Sequence, residues 1–427
     1  MKSIDDIAAA LQGYDPQALS VSQVGDFLGQ LVQSVSADES QDVFLFDALG
    51  RILAQDVISP ISVPAHNNSA MDGFAFDASQ LVANQALTLR VVGTALAGKA
   101  WQGKVNAGEC LKIMTGAILP DGLDTVVPQE FAQVASDHDV TTVTLPPNLV
   151  KPGDNRRLAG EDLMQGQPAL KAGQQLTPGA LGLIASLGLP DVRVHRRLRV
   201  AYFSTGDEVL SMGDAPREGA IYDSNRYTVF GLLTRLGCDV IDMGVVRDDP
   251  HLLEAAFAKA AKEADAIITS GGVSVGEADF TKAMMKKLGD VAFWKIAMRP
   301  GRPMAVGRIG KSVLFGLPGN PVAVMVTFLA FVRPALLRMM GSSAHPLPML
   351  RAKCLEPLRK KAGRTEYQRG FVDSAADGSL QVRTTGNQGS GVLSSMVQGN
   401  GLIVLHHSQG NVAVGDEVDV MMFEGAI

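Results

Sequence analysis

Five short stretches in the middle of the chain gather residue types that suit phosphate and a hard metal ion. They are Thr205-Gly206-Asp207-Glu208, Arg247-Asp248-Asp249-Pro250, the run from Gly271 and Gly272 through Ser274 to Asp279, Arg299-Pro300-Gly301-Arg302-Pro303, and Leu317-Pro318-Gly319-Asn320-Pro321. Glycines allow close backbone approach to a ligand, and N–H groups at a helix start favour phosphate. Carboxylates beside them suit a divalent cation such as Mg²⁺, which bridges phosphate oxygens. Lys295, Arg299 and Arg302 would cover the remaining negative charge of an oxyanion. Singly, each stretch reads as an ordinary turn or cap, and Asp-Pro in particular commonly opens a helix. Together they describe a binding rim.

Each of these stretches ends an apolar run of strand length. LRVAYFS, CDVIDMGVV, DAIITS, FWKIAM and SVLFG read as strands, and NRYTVFGLLTRLG, PHLLEAAFAKAAKEA and ADFTKAMMKKLG between them as helices. Leu252, Leu253, Ala256, Phe257 and Ala260 share one helical face. Asn320 and Pro321 supply an N-cap and a first-turn proline for a last helix. Such alternation predicts a mostly parallel, doubly wound sheet over 193–342, with ligands at the carboxyl ends of its strands.

Before it, the spacing of Val21, Val24, Phe27, Leu28 and Leu31 predicts a helix. Short β-type runs separated by Gly and Pro fill Leu87 to Leu149. Together with the four-domain plan implied by the resemblance given below, the boundaries expected are an elongated, discontinuous linking domain at 18–62 and 151–192, an all-β domain at 63–150, the α/β domain at 193–342, and a C-terminal β-barrel-like domain at 343–427.

The 427 residues carry a formal charge of −6, which argues against a nucleic-acid partner. Three scattered cysteines, Cys110, Cys238 and Cys354, fit reduced thiols in the cytoplasm. No signal peptide pattern opens the chain, and the apolar run 322–332 is about half of a membrane span, so no membrane is expected. Gly310-Lys311-Ser312 lacks the upstream glycine of a P-loop and precedes a strand. His406 and His407 would point to opposite sides of a β run, which disfavours a shared metal.

In order along the chain, Asn68-Ser69-Ala70-Met71-Asp72-Gly73, Met114-Thr115-Gly116-Ala117, Gly160-Glu161-Asp162, Ser204-Thr205-Gly206-Asp207-Glu208, Tyr222-Asp223-Ser224-Asn225-Arg226, Ser270 through Phe280, Leu317 through Val322 and Gly389-Ser390 resemble the molybdopterin molybdenumtransferase family. The resemblance implies a homodimer whose active site lies at the subunit interface, between the α/β domain of one subunit and the Asp72-bearing domain of the other. It implies that adenylylated molybdopterin and molybdate give molybdenum cofactor and AMP, with Mg²⁺. Its functional positions fall on Asp72, Thr115, Arg157, Asp162, Glu208, Asp248, Asp279, Lys295, Arg299, Arg369 and Ser390. Glu208, Asp248 and Asp279 would hold the metal or orient a water. Lys295 and Arg299 would bind phosphate or molybdate, and Arg369 and Ser390 would add an oxyanion subsite. Without the resemblance, Asp72 reads as a turn residue, and Arg157 and Asp162 as a surface ion pair. Asn67, Phe74 and Arg299 depart from the family's usual acidic residue, tyrosine and lysine.

A molybdopterin adenylyltransferase, which makes the activated intermediate, is the nearest alternative and is an expected upstream partner. It would have a single domain and a GGTG-type loop, where this chain has Gly271-Gly272-Val273-Ser274. A scaffold that clusters receptors is a third reading and would want an added N-terminal domain. Cofactor-inserting proteins or molybdoenzymes would receive the product.

Overall fold

The computed structural model describes residues 2–35, 37–273, 280–343 and 346–425. Its central unit is a six-stranded sheet in the spatial order Asp239–Val246, Arg199–Thr205, Ala266–Ser270, Ser312–Leu317, Pro303–Ile309, Asp290–Lys295. The first four are parallel, and the last two are an antiparallel edge. Ala266–Ser270 and Ser312–Leu317 are buried at every position, as central strands covered on both faces must be.

Side-chain alternation divides the core into two layers. Val200, Tyr202, Ile268 and Phe315 face Val229 and Leu233 of the helix Ser224–Leu236. Ala201, Phe203, Ile267 and Leu314 face Leu253 and Phe257 of Pro250–Glu263. The helical run 321–339 is long and apolar enough to cross a membrane by composition, but 67% of it is buried in the protein. It is longer than the apolar stretch of the sequence because Arg333 and Pro334 continue it.

The helix Val21–Leu31, at the start of the segment expected as the linking domain, buries Val24, Phe27, Leu28 and Leu31 in a core shared with Trp294 and Ile296 of the α/β unit. The helical pattern fixed the face but not the surface it meets.

The linking region is built from both sides of the β domain. Ser40–Phe44 pairs with Asp191–His195, Val57–Ile58 with Pro168–Leu170, and Asn68–Ser69 with Arg156–Arg157. The β domain is a six-stranded sheet running from Thr125–Pro128 to the edge strand Gln133–Asp137. In the tail, Thr365–Ser374 pairs with both Leu380–Thr384 and Gly401–Leu405. That closes a five-stranded barrel with Leu350–Cys354 and Glu417–Met422. The short strand Met298–Arg299 leaves the α/β unit to pair with Thr365 and Glu366 of this barrel.

Candidate active site

The carboxyl ends of the parallel strands open into a cleft of about 560 Å³. Glu208, Gly271, Gly272, Arg299, Arg302, Pro318, Gly319, Asn320 and Ser390 line it, so nine of the residues singled out by the sequence meet in one place. Ser274 and Asp279 lie outside the described residues. Beyond Ser270, the chain turns through Gly271 (φ +90°) and Gly272 (φ +65°). A Cβ at Gly271 would stand 2.6 Å from the Thr205 carbonyl oxygen, and one at Gly272 would stand 2.4 Å from Thr281 Cβ. Only glycine lets this turn lie flat against the neighbouring strand end and form the cleft wall.

Arg299 and Arg302 are exposed in the loop between the edge strands, with Pro300 and Gly301 also lining the cleft. Glu208 is the carboxylate among the described lining residues, so the wall carries two guanidinium groups against one carboxylate. Across from them, Asn320 holds the N-cap position of the helix Pro321–Thr327 but makes no side-chain cap hydrogen bond, which leaves its amide for the cleft. The Val322 amide donates to the Ser390 carbonyl (3.1 Å), so the tail caps this helix and brings Ser390 to the rim. Asn225 Nδ2 donates to the Gly319 carbonyl (2.7 Å) and ties the same turn to the helix Ser224–Leu236.

Other candidates are placed differently. Lys295 ends the edge strand and does not line the cleft. Asp248 is half-buried on the neighbouring strand end, where its amide donates to Asp207 Oδ1 (3.3 Å). Asp249 caps the following helix through His251 and Leu252, the ordinary role of Asp-Pro. Arg369 is 1% exposed, and its guanidinium donates to Ser395 Oγ (2.9 Å) and to the carbonyls of Gly389 (3.0 Å) and Asn387 (3.3 Å). Burial, then the charge of Arg299, lowers its pKa to about 10. Its geometry is that of a buried clasp on the 386–391 turn. Gln388, which the sequence did not single out, lines the cleft from that turn, and its side chain pairs with the Arg369 backbone. Its signal was its place just before Gly389-Ser390.

Asp72, Thr115, Arg157 and Asp162 lie outside this lining. Asp72 Oδ1 accepts from the Thr115 amide (2.7 Å) and hydroxyl (2.6 Å), which hold its pKa below the usual carboxylate range. Arg157 lies across from Asn68 in the short ladder beside this turn. Arg157 and Asp162 form no ion pair with each other among the described residues. No cluster of three potential metal-binding His, Cys, Asp or Glu side chains occurs among the described residues. His406 is engaged by Asp419 at 2.6 Å.

Three family models cover most of the chain. They are the MoeA N-terminal region (domains I and II) at residues 19–188, a probable molybdopterin binding domain at 201–338, and the MoeA C-terminal region (domain IV) at 351–423. A molybdopterin molybdenumtransferase of Haemophilus influenzae is 44% identical over 380 residues, 89% of this chain and 93% of the relative. One from a Nostoc species is 34% identical over 96% of this chain and 95% of the relative. The crystal structure of a molybdopterin biosynthesis MoeA protein from Pyrococcus horikoshii superposes with a TM-score of 0.81 at 25% identity, over 95% of this chain and all of that one.

Proposed function

The chain belongs to the family of molybdopterin molybdenumtransferases, and from that premise we propose that it inserts molybdate into adenylylated molybdopterin, releasing AMP and molybdenum cofactor. The observation that carries the reading is the cleft: two arginines, one carboxylate and a glycine turn converge at the strand ends of the matched molybdopterin-binding domain. The adenylyltransferase alternative falls away, because the relatives that match nearly the whole chain bear the transferase name. Nothing in the site calls for a scaffold.

The chain's own groups divide the work. Arg299 and Arg302 neutralise molybdate or phosphate oxygens, with the fork of Arg299 giving directed paired hydrogen bonds. The Gly271-Gly272 turn lets phosphate approach the backbone closely. Glu208, the carboxylate among the described cleft residues, would orient a water or hold a divalent cation. Mg²⁺ typically uses one or two carboxylates plus substrate phosphates, and the donors here fit that pattern. When bound, Mg²⁺ would polarise phosphoryl oxygens.

We further propose a homodimer in which Asp72 and Thr115 of one subunit complete the cleft of the other, in a cytoplasmic enzyme. Two observations support the dimer. The Asp72–Thr115 pair is fully formed on an exposed turn outside the lining of the cleft. The linking region exposes Phe44, Phe46 and Leu49, with Phe46 fully bare at 100%; exposed apolar clusters commonly mark protein contacts. An upstream adenylyltransferase would supply the substrate, and cofactor-inserting proteins or molybdoenzymes would take the product.

The test is AMP release from adenylylated molybdopterin with Mg²⁺ and micromolar molybdate. Molybdate-dependent release by the wild type, and its loss by a hundredfold or so in Glu208→Ala, is expected for an acid–base or metal-holding group. Adenylylated product formed from ATP and pterin would move the protein to the preceding step.

A further inference from the structure

The loop that carries Arg299 and Arg302 hangs from the edge strand Asp290–Lys295, and an edge strand offers unpaired backbone groups. Here the N-terminal segment meets the strand at its carboxyl end. Lys295 N donates to Pro16 O (2.8 Å), Ala297 N donates to Leu19 O (2.7 Å), and Leu19 and Ile296 form a parallel bridge. On its other side, the Ala297 carbonyl accepts from Thr365 N of the tail barrel (2.9 Å). Residue 297 is thus pinned between the first twenty residues and the last domain, two positions before Arg299.

The segment that supplies these carbonyls is itself firmly docked. A capping box of Ser3 and Asp6 starts the helix Ile4–Ala10, whose Ile4 and Ile7 are buried. Ile4 N donates to Asp290 Oδ2 (2.9 Å) at the far end of the same edge strand. Tyr14 Oη accepts from Trp294 Nε1 (3.0 Å), and the Phe27 ring sits edge-on to Trp294 (4.8 Å) and stacks on Tyr14 (6.5 Å). Residues 4–18 lie before the first residue of the matched family models.

We propose that residues 4–19 are a positioning strap for the oxyanion-binding loop: by fixing the backbone at Lys295 and Ala297, they hold Arg299 and Arg302 in the cleft-facing arrangement. This rests on reading that loop as the oxyanion site. A loop released at one anchor spends only part of its time in the binding arrangement, and affinity falls by that fraction. Tyr14 is a positioning residue, since it acts through Trp294 and touches nothing in the cleft.

The experiment compares the intact protein, a variant lacking residues 2–13, Tyr14→Ala and Arg299→Ala. Hydrogen exchange is read at the amides of Lys295 and Ala297, and sodium molybdate binding by calorimetry. Both strap variants are expected to lose protection at these amides and to bind molybdate about tenfold more weakly. In turnover they raise KM for molybdate more than they lower kcat. Tyr14→Ala leaves the buried strap isoleucines in place, so it decides the matter should the deletion fail to fold. Retained molybdate affinity in the strap variants, or weaker binding with protection unchanged, overturns the strap. No molybdate binding by the intact protein, or full binding by Arg299→Ala, overturns the oxyanion reading and the strap with it.

Discussion

Gly271 and Gly272 set the wall of the cleft by what they lack. A methyl group at position 271 meets a backbone oxygen in the adjacent strand, which cannot swing aside, and the positive φ adds strain of its own. Gly271→Ala is therefore expected to lower stability by about 1–3 kcal/mol and to displace the turn. Thermal melting alongside AMP release checks this; unchanged melting with full activity would show that the turn has room. Arg369 is expected to behave as a clasp. Arg369→Ala leaves the Gly389 and Asn387 carbonyls and Ser395 Oγ without their shared donor, a loss of roughly 2–3 kcal/mol in chemical denaturation. Arg369→Lys recovers little of it, because a point charge cannot serve three acceptors in a plane. The contrast between Arg299 and Arg369 marks the limit of sequence reasoning at this scale. Both are arginines at matched positions. Only burial separates one that faces the cleft from one that holds the turn beneath it.

Between elements, the linking region and the α/β unit are joined by charge. Arg196 donates through both terminal nitrogens to Asp265 (2.7 and 2.8 Å) and through Nε to Glu39 (2.6 Å). Burial works to raise the Asp265 pKa, but Arg196, the Arg199 amide and both arginine charges outweigh it, so the carboxyl sits below its ordinary 3.8. A depressed carboxyl adds stability that is complete above the unfolded value and disappears as pH falls through the folded one. The junction is thus expected to weaken from about pH 4 downward and to be unaffected between about pH 5 and 8. Asp265→Asn should cost about 1–3 kcal/mol at neutral pH and flatten the acid limb of the stability curve. An acid limb identical to that of the wild type would remove Asp265 from the account. None of this was legible beforehand, since Glu39, Arg196 and Asp265 come from separate segments with no shared motif. By contrast, the alternating strands and helices of 193–342 were readable, because buried parallel strands must be continuous apolar runs ending in glycine and charge. The helix Val21–Leu31 shows the boundary between the two cases. Its periodicity defines an apolar face, but the partner of that face depends on chain path.

The whole molecule poses one question, namely why the Asp72–Thr115 pair and the cleft residues occupy different domains. The proposed shared cleft would answer it, and it makes a quantitative demand. Suppose each cleft takes Glu208 from one subunit and Asp72 from the other. A dimer of one Glu208→Ala chain and one Asp72→Ala chain then has one cleft with both residues lost and one with both intact. Each parent variant is expected to be inactive, while an equal mixture, after subunit exchange, should recover about a quarter of wild-type activity, since half the dimers are mixed and each keeps one of two clefts. If both residues served a cleft within their own chain, every cleft in the mixture would carry one lesion, and no activity would return. Co-expression with two affinity tags isolates the mixed dimer, which should then reach about half of the wild-type rate. The same preparation tests the exposed Phe46 surface. Phe46→Asp in both chains is expected to shift the dimer towards monomer in sedimentation and to abolish the recovery, because a residue brought by the partner is lost with the partner.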